Sequence, residues 1–151
     1  MQHFDNDFAQ RTIVRLRKIP AEATPQWGKL RGATLIPHFI WAIKHSMGRS
    51  TKVPYVGNWL SCKVFGPLII RGIIRIPKNV TLPKPFQDRG IDLQEPGDIE
   101  TLQALVEEYL ALVQADELKT GLHPAFGDIG VDGWDRIHVL HFEHHLRQFG
   151  V

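Results

Sequence analysis

Only one cysteine, Cys62, is present among 151 residues. That excludes an internal disulfide framework and suits a reducing compartment, so a cytoplasmic location is expected. With Lys63 as the one basic neighbour, Cys62 reads as a small buried residue rather than a nucleophile. A charge surplus is missing too. Eighteen Lys and Arg against sixteen Asp and Glu leave a net charge of +2, which makes no electrostatic case for a nucleic-acid partner. Long apolar runs are absent as well: the stretch 64–70 is stopped by Arg71 and resumes only briefly before Arg75. This is short of the roughly 18 residues that a membrane span needs. The first seven residues carry Asp5 and Asp7 where a secretory leader would need a basic region. No alternating strand pair, repeat or low-complexity segment emerges.

What the chain does have is histidine. Of its eight histidines, His138, His141, His144 and His145 fall close together near the C-terminal end, among Trp134, Leu140, Phe142 and Leu146. At about 100° per residue on a helix, with His141 at zero, Trp134 lies near ~20°, His145 near ~40° and His138 near ~60°. These residues share one face and are expected to point inward. Arg136, Glu143 and Arg147, at about 200–240°, should face solvent, and His144, near ~300°, falls on the boundary. His141 and His145 form an i,i+4 pair, which can place two ring nitrogens on one metal ion.

Taken in order, the chain reads as helices joined by proline- and glycine-marked breaks. Residues 7–19 form an amphipathic helix ended by Pro20. A second helix is expected to be capped by Thr24, to begin at Pro25 and to run to a stop at Gly48, bending at Pro37 just before His38. His38 sits among Phe39, Ile40 and Trp41, and it can supply the third imidazole that a pair on one helix lacks. Alone, it would read as a hydrogen-bonded core histidine. His45 is expected at the helix end near solvent. Residues 53–76 read as a helix kinked at Gly66-Pro67, and 77–97 as an extended crossover with no helix of its own. A crossover of that length must wrap the rest of the chain or cover something. Asp98 caps the clearest helix, with Leu102, Leu105, Val106, Tyr109, Leu112 and Val113 on one face. A tight loop at 121–130 leads to Asp132, the expected cap of the last helix, and leaves His123 either a turn residue or a group supporting the site. The whole is one all-α domain, 1–151, of four or five helices with one long connection.

Two sets of residues carry a family resemblance. Trp27-Gly28-Lys29 followed by His38 is one; the other is His123-Pro124-Ala125-Phe126-Gly127, Trp134, and His141-Phe142-Glu143-His144-His145-Leu146-Arg147-Gln148-Phe149-Gly150. Together they resemble the DinB-like metalloprotein superfamily, most of all the branch known as DUF1569, with a weaker likeness over 79–85. The resemblance implies a DinB-like four-helix bundle, up-down-down-up, with a divalent metal held by His38, His141 and His145. Pro37, directly before the implied ligand, departs from the unbroken helix usual in such families and bears on the reach of His38.

Three imidazoles would leave a divalent ion at least one open position for water or substrate. Nitrogen ligands suit zinc or nickel, with iron or manganese as alternatives. Such an ion acidifies bound water or activates a bound thiol. Characterised relatives in the superfamily include thiol-dependent transferases and isomerases, so the leading expectation is a metal-dependent transferase or isomerase acting on a small molecule with a low-molecular-weight thiol. His138 and His144 are the candidates for proton transfer. A His-Glu-x-x-His hydrolase is excluded by residue order and by Glu143, which projects about 160° away from His145. The competing class is a non-catalytic metal- or ligand-binding bundle, a stress-related interaction protein; a third reading is a metal-free network of buried histidines. A homodimer surface, if present, is expected along 64–76.

Overall fold

The computed structural model describes residues 2–75, 77–78, 87–88 and 90–151. Residues 79–86 and 89 of the expected crossover, including the weaker likeness at 79–85, therefore lie outside the described residues. Among those residues the named elements are helical: α1 (Asn6–Leu16), α2 (Gly32–Ser46), one wide turn at Ser61–Phe65, α3 (Gly66–Ile70), α4 (Ile99–Gln114) and α5 (Gly130–Gln148). Helices α1 and α2 each pack against α4 and α5, and α3 packs against α5.

Local chemistry sets the ends of these helices. Asp5 caps α1 by accepting from the Phe8 N–H, and Asp98 caps α4 by accepting from the Thr101 N–H at 2.8 Å. The expected cap at Asp132 is not made. Helix α5 starts at Gly130, its N-cap residue Ile129 offers no side-chain cap, and Asp132 lies inside the first turn. There its carboxylate complements the helix dipole instead. The start of α2 also differs from expectation. Residues 24–31 are irregular and the helix begins at Gly32, then runs through Pro37 to Ser46 without a break. Pro37 lies in the second turn of this helix, where it forfeits one backbone hydrogen bond. The segment expected as a helix over 53–76 is regular only from 59 to 70. Its middle is the wide turn, in which the Gly66 N–H reaches back five residues to the Ser61 carbonyl, and Pro67, lacking an N–H, opens α3.

The core draws Phe4, Phe8 and Leu16 together with Leu35, Phe39, Ile40 and Ile43 of α2, Leu102, Val106 and Tyr109 of α4, and Val139, Phe142 and Leu146 of α5. Each fully buried large side chain contributes about 1.5–3 kcal/mol. One contact fixes how α2 meets α5. Phe39 and Phe142 stack face to face, 4.0 Å apart and within 3° of parallel. Their chain neighbours are His38 and His141, so the stack also sets which histidines meet. Arg15 reaches Glu143 at 2.6 Å and ties α1 to α5; Glu143, expected in solvent, is thus a half-buried ion-pair partner.

The end of the crossover, 91–97, lies along α2. Ile91 and Leu93 pack on Trp41, Ala42 and Val53, and the Glu95 N–H donates to the Pro37 carbonyl at 2.9 Å. Gly97 permits the close approach, because a Cβ there would fall 2.6 Å from the Ile40 side chain. This segment covers the helix that carries His38.

Candidate metal centre

His38 on α2 and His141 and His145 on α5 converge, each offering a ligand atom within 4.8 Å of the others and each half-buried. The Nε2 atom of His141 lies 2.9 Å from Nε2 of His38 and 3.0 Å from Nε2 of His145. The three rings stand steeply to one another, at 75° to 83°. The sheer i,i+4 spacing on α5 supplies two of the three, and the Phe39–Phe142 stack delivers the third.

The proton positions follow from the partners. The Leu93 carbonyl can only accept, so His38 Nδ1 carries a hydrogen and donates to it at 2.9 Å. His145 Nδ1 likewise donates to Gln148 Oε1 at 2.7 Å. The Gln148 amide cannot be turned around, because its Nε2 donates to the Trp27 carbonyl at 2.6 Å. With both Nδ1 atoms protonated, neutral His38 and His145 carry bare lone pairs at Nε2. Both lone pairs face the single Nε2 of His141, which can donate one hydrogen or present one lone pair. Hydrogen bonding satisfies at most one of the two short contacts.

Burial keeps these rings neutral. Desolvation lowers all three, with the neighbouring rings adding to the effect for His141 and His145; His141 falls well below its ordinary 6.5 and His145 to about 3. A neutral imidazole with its other nitrogen donating to a carbonyl or amide oxygen is the form in which histidine binds metals. Two nitrogens held at ~2.0–2.1 Å from one ion sit about 2.9 Å apart at a right angle and about 3.4 Å apart at the tetrahedral angle. The observed separations of 2.9 and 3.0 Å fall at the near end of that range. The donor set therefore fits a divalent ion.

The other histidines lie outside this cluster. His138 is buried between Phe4, Tyr109 and Trp134. Its Nε2 meets Ser46 Oγ at 2.9 Å, and since that hydroxyl donates to the Ile43 carbonyl, His138 is the donor. Burial lowers it to about 3. His45, expected near solvent, is instead 6% exposed. It is stacked on Trp41, and its Nε2–H donates to the Leu122 carbonyl. Helix α2 ends against the 121–127 loop rather than in water, which is why the position is buried. His123 shapes that loop as a turn residue: its Nδ1 accepts from the Ala125 and Phe126 N–H groups and its ring stacks on Phe126 at 4.3 Å. His144 is half-buried beside His145, their ring centres 5.1 Å apart, and 6.1 Å from Trp27. Cys62, expected buried, is partly exposed, 2.9 Å from the Tyr55 hydroxyl.

Two supporting groups were not singled out from the sequence. Gln148 follows His145 by three residues on the same helix, a spacing that could have revealed it. The Leu93 carbonyl carried no such signal, being a backbone group brought in from another segment.

A family described as "Protein of unknown function (DUF1569)" matches residues 63–150. No curated protein and no solved structure matches the chain.

Proposed function

This chain belongs to the DUF1569 family, and from that premise we propose that it is a divalent-metal protein of the DinB-like bundle type, with His38, His141 and His145 as the ligands. The observation that carries the proposal is the meeting of three Nε2 atoms, two with lone pairs fixed by donation from Nδ1 to Leu93 and Gln148. A metal-free network leaves one of those lone pairs facing nitrogen at hydrogen-bond distance, an arrangement without compensation in a partly desolvated site. Zinc or nickel suits an all-nitrogen set, with iron or manganese as alternatives.

Three protein ligands leave room for an exogenous one, and a bound ion would acidify a water or thiol there. Among the described residues no carboxylate joins the cluster, so hydrolysis aided by a carboxylate base is not our reading. We assign the site to transfer or isomerisation with a low-molecular-weight thiol and a small-molecule substrate in the cytoplasm. His144 is retained as the proton carrier because it is half-exposed beside His145, whereas the Nε2 of His138 is engaged by Ser46. For pairing of two copies we look to the exposed Trp59, Leu60, Phe65 and Ile73. Among the described residues no helix is long and apolar enough to cross a membrane.

Metal content of the purified full chain tests the ligand set. One equivalent of divalent metal is expected in the parent and under a tenth of that in His38→Ala and His145→Ala. Full occupancy in both variants removes the site. A screen of thiols against electrophilic acceptors, with the metal restored, tests the chemistry: no turnover alongside tight binding leaves a non-catalytic metal protein.

A further inference from the structure

Gln148 is 4% exposed at the last turn of α5, and each polar part of it has a different partner. Its Oε1 accepts from His145 Nδ1 at 2.7 Å, its Nε2 donates to the Trp27 carbonyl at 2.6 Å, and its main-chain carbonyl accepts from the Gln26 N–H at 2.8 Å. The segment it grips, 24–31, has no regular structure of its own. Gly28 makes the approach feasible: its φ is +78°, and a Cβ there would lie 2.6 Å from Gln148 Nε2. The Trp27 side chain in turn lies beside His144 and under the Lys78 ammonium, 4.6 Å from the ring centre. Trp27 is thus part of the rim next to the His144–His145 pair.

We infer that Gln148 is a positioning residue with two ends, one setting the ring of His145 for metal and the other fastening the Trp27 rim, so that metal occupancy and order of residues 26–29 are coupled. A buried amide must satisfy both its oxygen and its nitrogen, and rotation of either end breaks the other bond. An ion that fixes the His145 ring holds Gln148 Oε1 in place, and with it the Nε2 that grips Trp27. By linkage, a fastened rim favours metal to the same extent that metal favours the fastened rim. The inference rests on the metal reading of the three histidines.

The test compares the full-length parent with Gln148→Leu and Gln148→Glu, measuring zinc affinity against a competing chelator and amide hydrogen exchange at 26–29 with and without zinc. Gln148→Leu removes both ends and is expected to weaken zinc binding by about 10–100-fold and to abolish the zinc-dependent protection of 26–29. Gln148→Glu separates the ends. Its carboxylate still accepts from His145 and should hold zinc at least as tightly as the parent, while its second oxygen repels the Trp27 carbonyl and removes the zinc-dependent protection of 26–29. Circular dichroism checks that both variants are folded, and the glutamate variant answers the question if the leucine variant is not. Parent-like affinity and protection in both variants overturn the coupling, as does loss of zinc affinity in Gln148→Glu. If the parent itself takes up no zinc, cobalt or nickel, the metal reading has failed, a result distinct from a metal-binding parent with indifferent Gln148 variants.

Discussion

Two groups of histidines lie within the same pair of helices, and they differ in what their nitrogens face. At one place His38, His141 and His145 turn their Nε2 atoms toward one another. Near the other end of α2, His45 and His138 aim at the Leu122 carbonyl and the Ser46 hydroxyl and lie against Trp41 and Trp134. Both groups are depressed by burial. Burial and low basicity therefore do not separate a ligand from a core histidine in this protein. Convergence of unprotonated nitrogens does: His45 and His138 each also keep a buried Nδ1 without a hydrogen-bond partner, but only in the other group do bare nitrogens face one another at hydrogen-bond distance.

The sharpest way to break this contrast is to remove one histidine from each group. His141→Ala is expected to lower metal affinity by more than about 100-fold, beyond the range typical of supporting residues, whereas His45→Ala should keep full metal content while losing thermal stability. Equal metal loss in both, measured by elemental analysis of folded protein, would show that the two groups work as one. The next largest effect concerns the contact that brings the groups' helices together. Phe39→Ala should cost about 3–5 kcal/mol in urea unfolding, and zinc affinity should fall with it, since the Phe39–Phe142 stack registers His38 against α5. A variant that loses stability yet binds zinc like the parent would assign that registration to other contacts.

Acid tests the burial itself. His138 and His123 are neutral in the folded chain down to about 3 and about 4, while in the unfolded chain they take up protons near the ordinary 6.5. Their contribution to stability is present in full above 6.5 and is lost as pH falls from there toward the folded values. With metal chelated, the urea midpoint should thus drop between pH 7 and pH 5, and His138→Gln should flatten the slope by up to about 1.4 kcal/mol per pH unit, one proton's worth. An unchanged slope would mean that His138 takes up its proton as readily in the fold as in the unfolded chain. The smallest effect belongs to a contact on a different face of α5 from the ligands: Arg15→Ala, which removes the ion pair to Glu143 and a bond to the Val151 carbonyl, should cost about 1 kcal/mol and leave metal binding untouched.

Much of this was legible in the chain. The 3.6-residue spacing of Leu102, Leu105, Val106 and Tyr109 behind Asp98 gives α4 directly, and the wheel of α5 puts His141 and His145 on one face. Other features resisted. Pro25 and Thr24 carry the marks of a helix start, yet 24–31 is irregular, because Gln26 and Trp27 are held by Gln148 from the far end of the chain. His45 has the polarity of a helix end and is buried only because the 121–127 loop folds over it.

The sequence by itself determined the helical periodicity, the acidic cap of α4, and the i,i+4 histidine pair, all of which depend on neighbours within one or two turns. Only the tertiary structure decided which imidazole joins that pair, which nitrogen of each ring carries the hydrogen, and which residues support them. Those depend on the Leu93 carbonyl, the Trp27 carbonyl and the Phe39–Phe142 stack, contacts between distant segments that local propensity cannot encode because they exist only when the helices have packed.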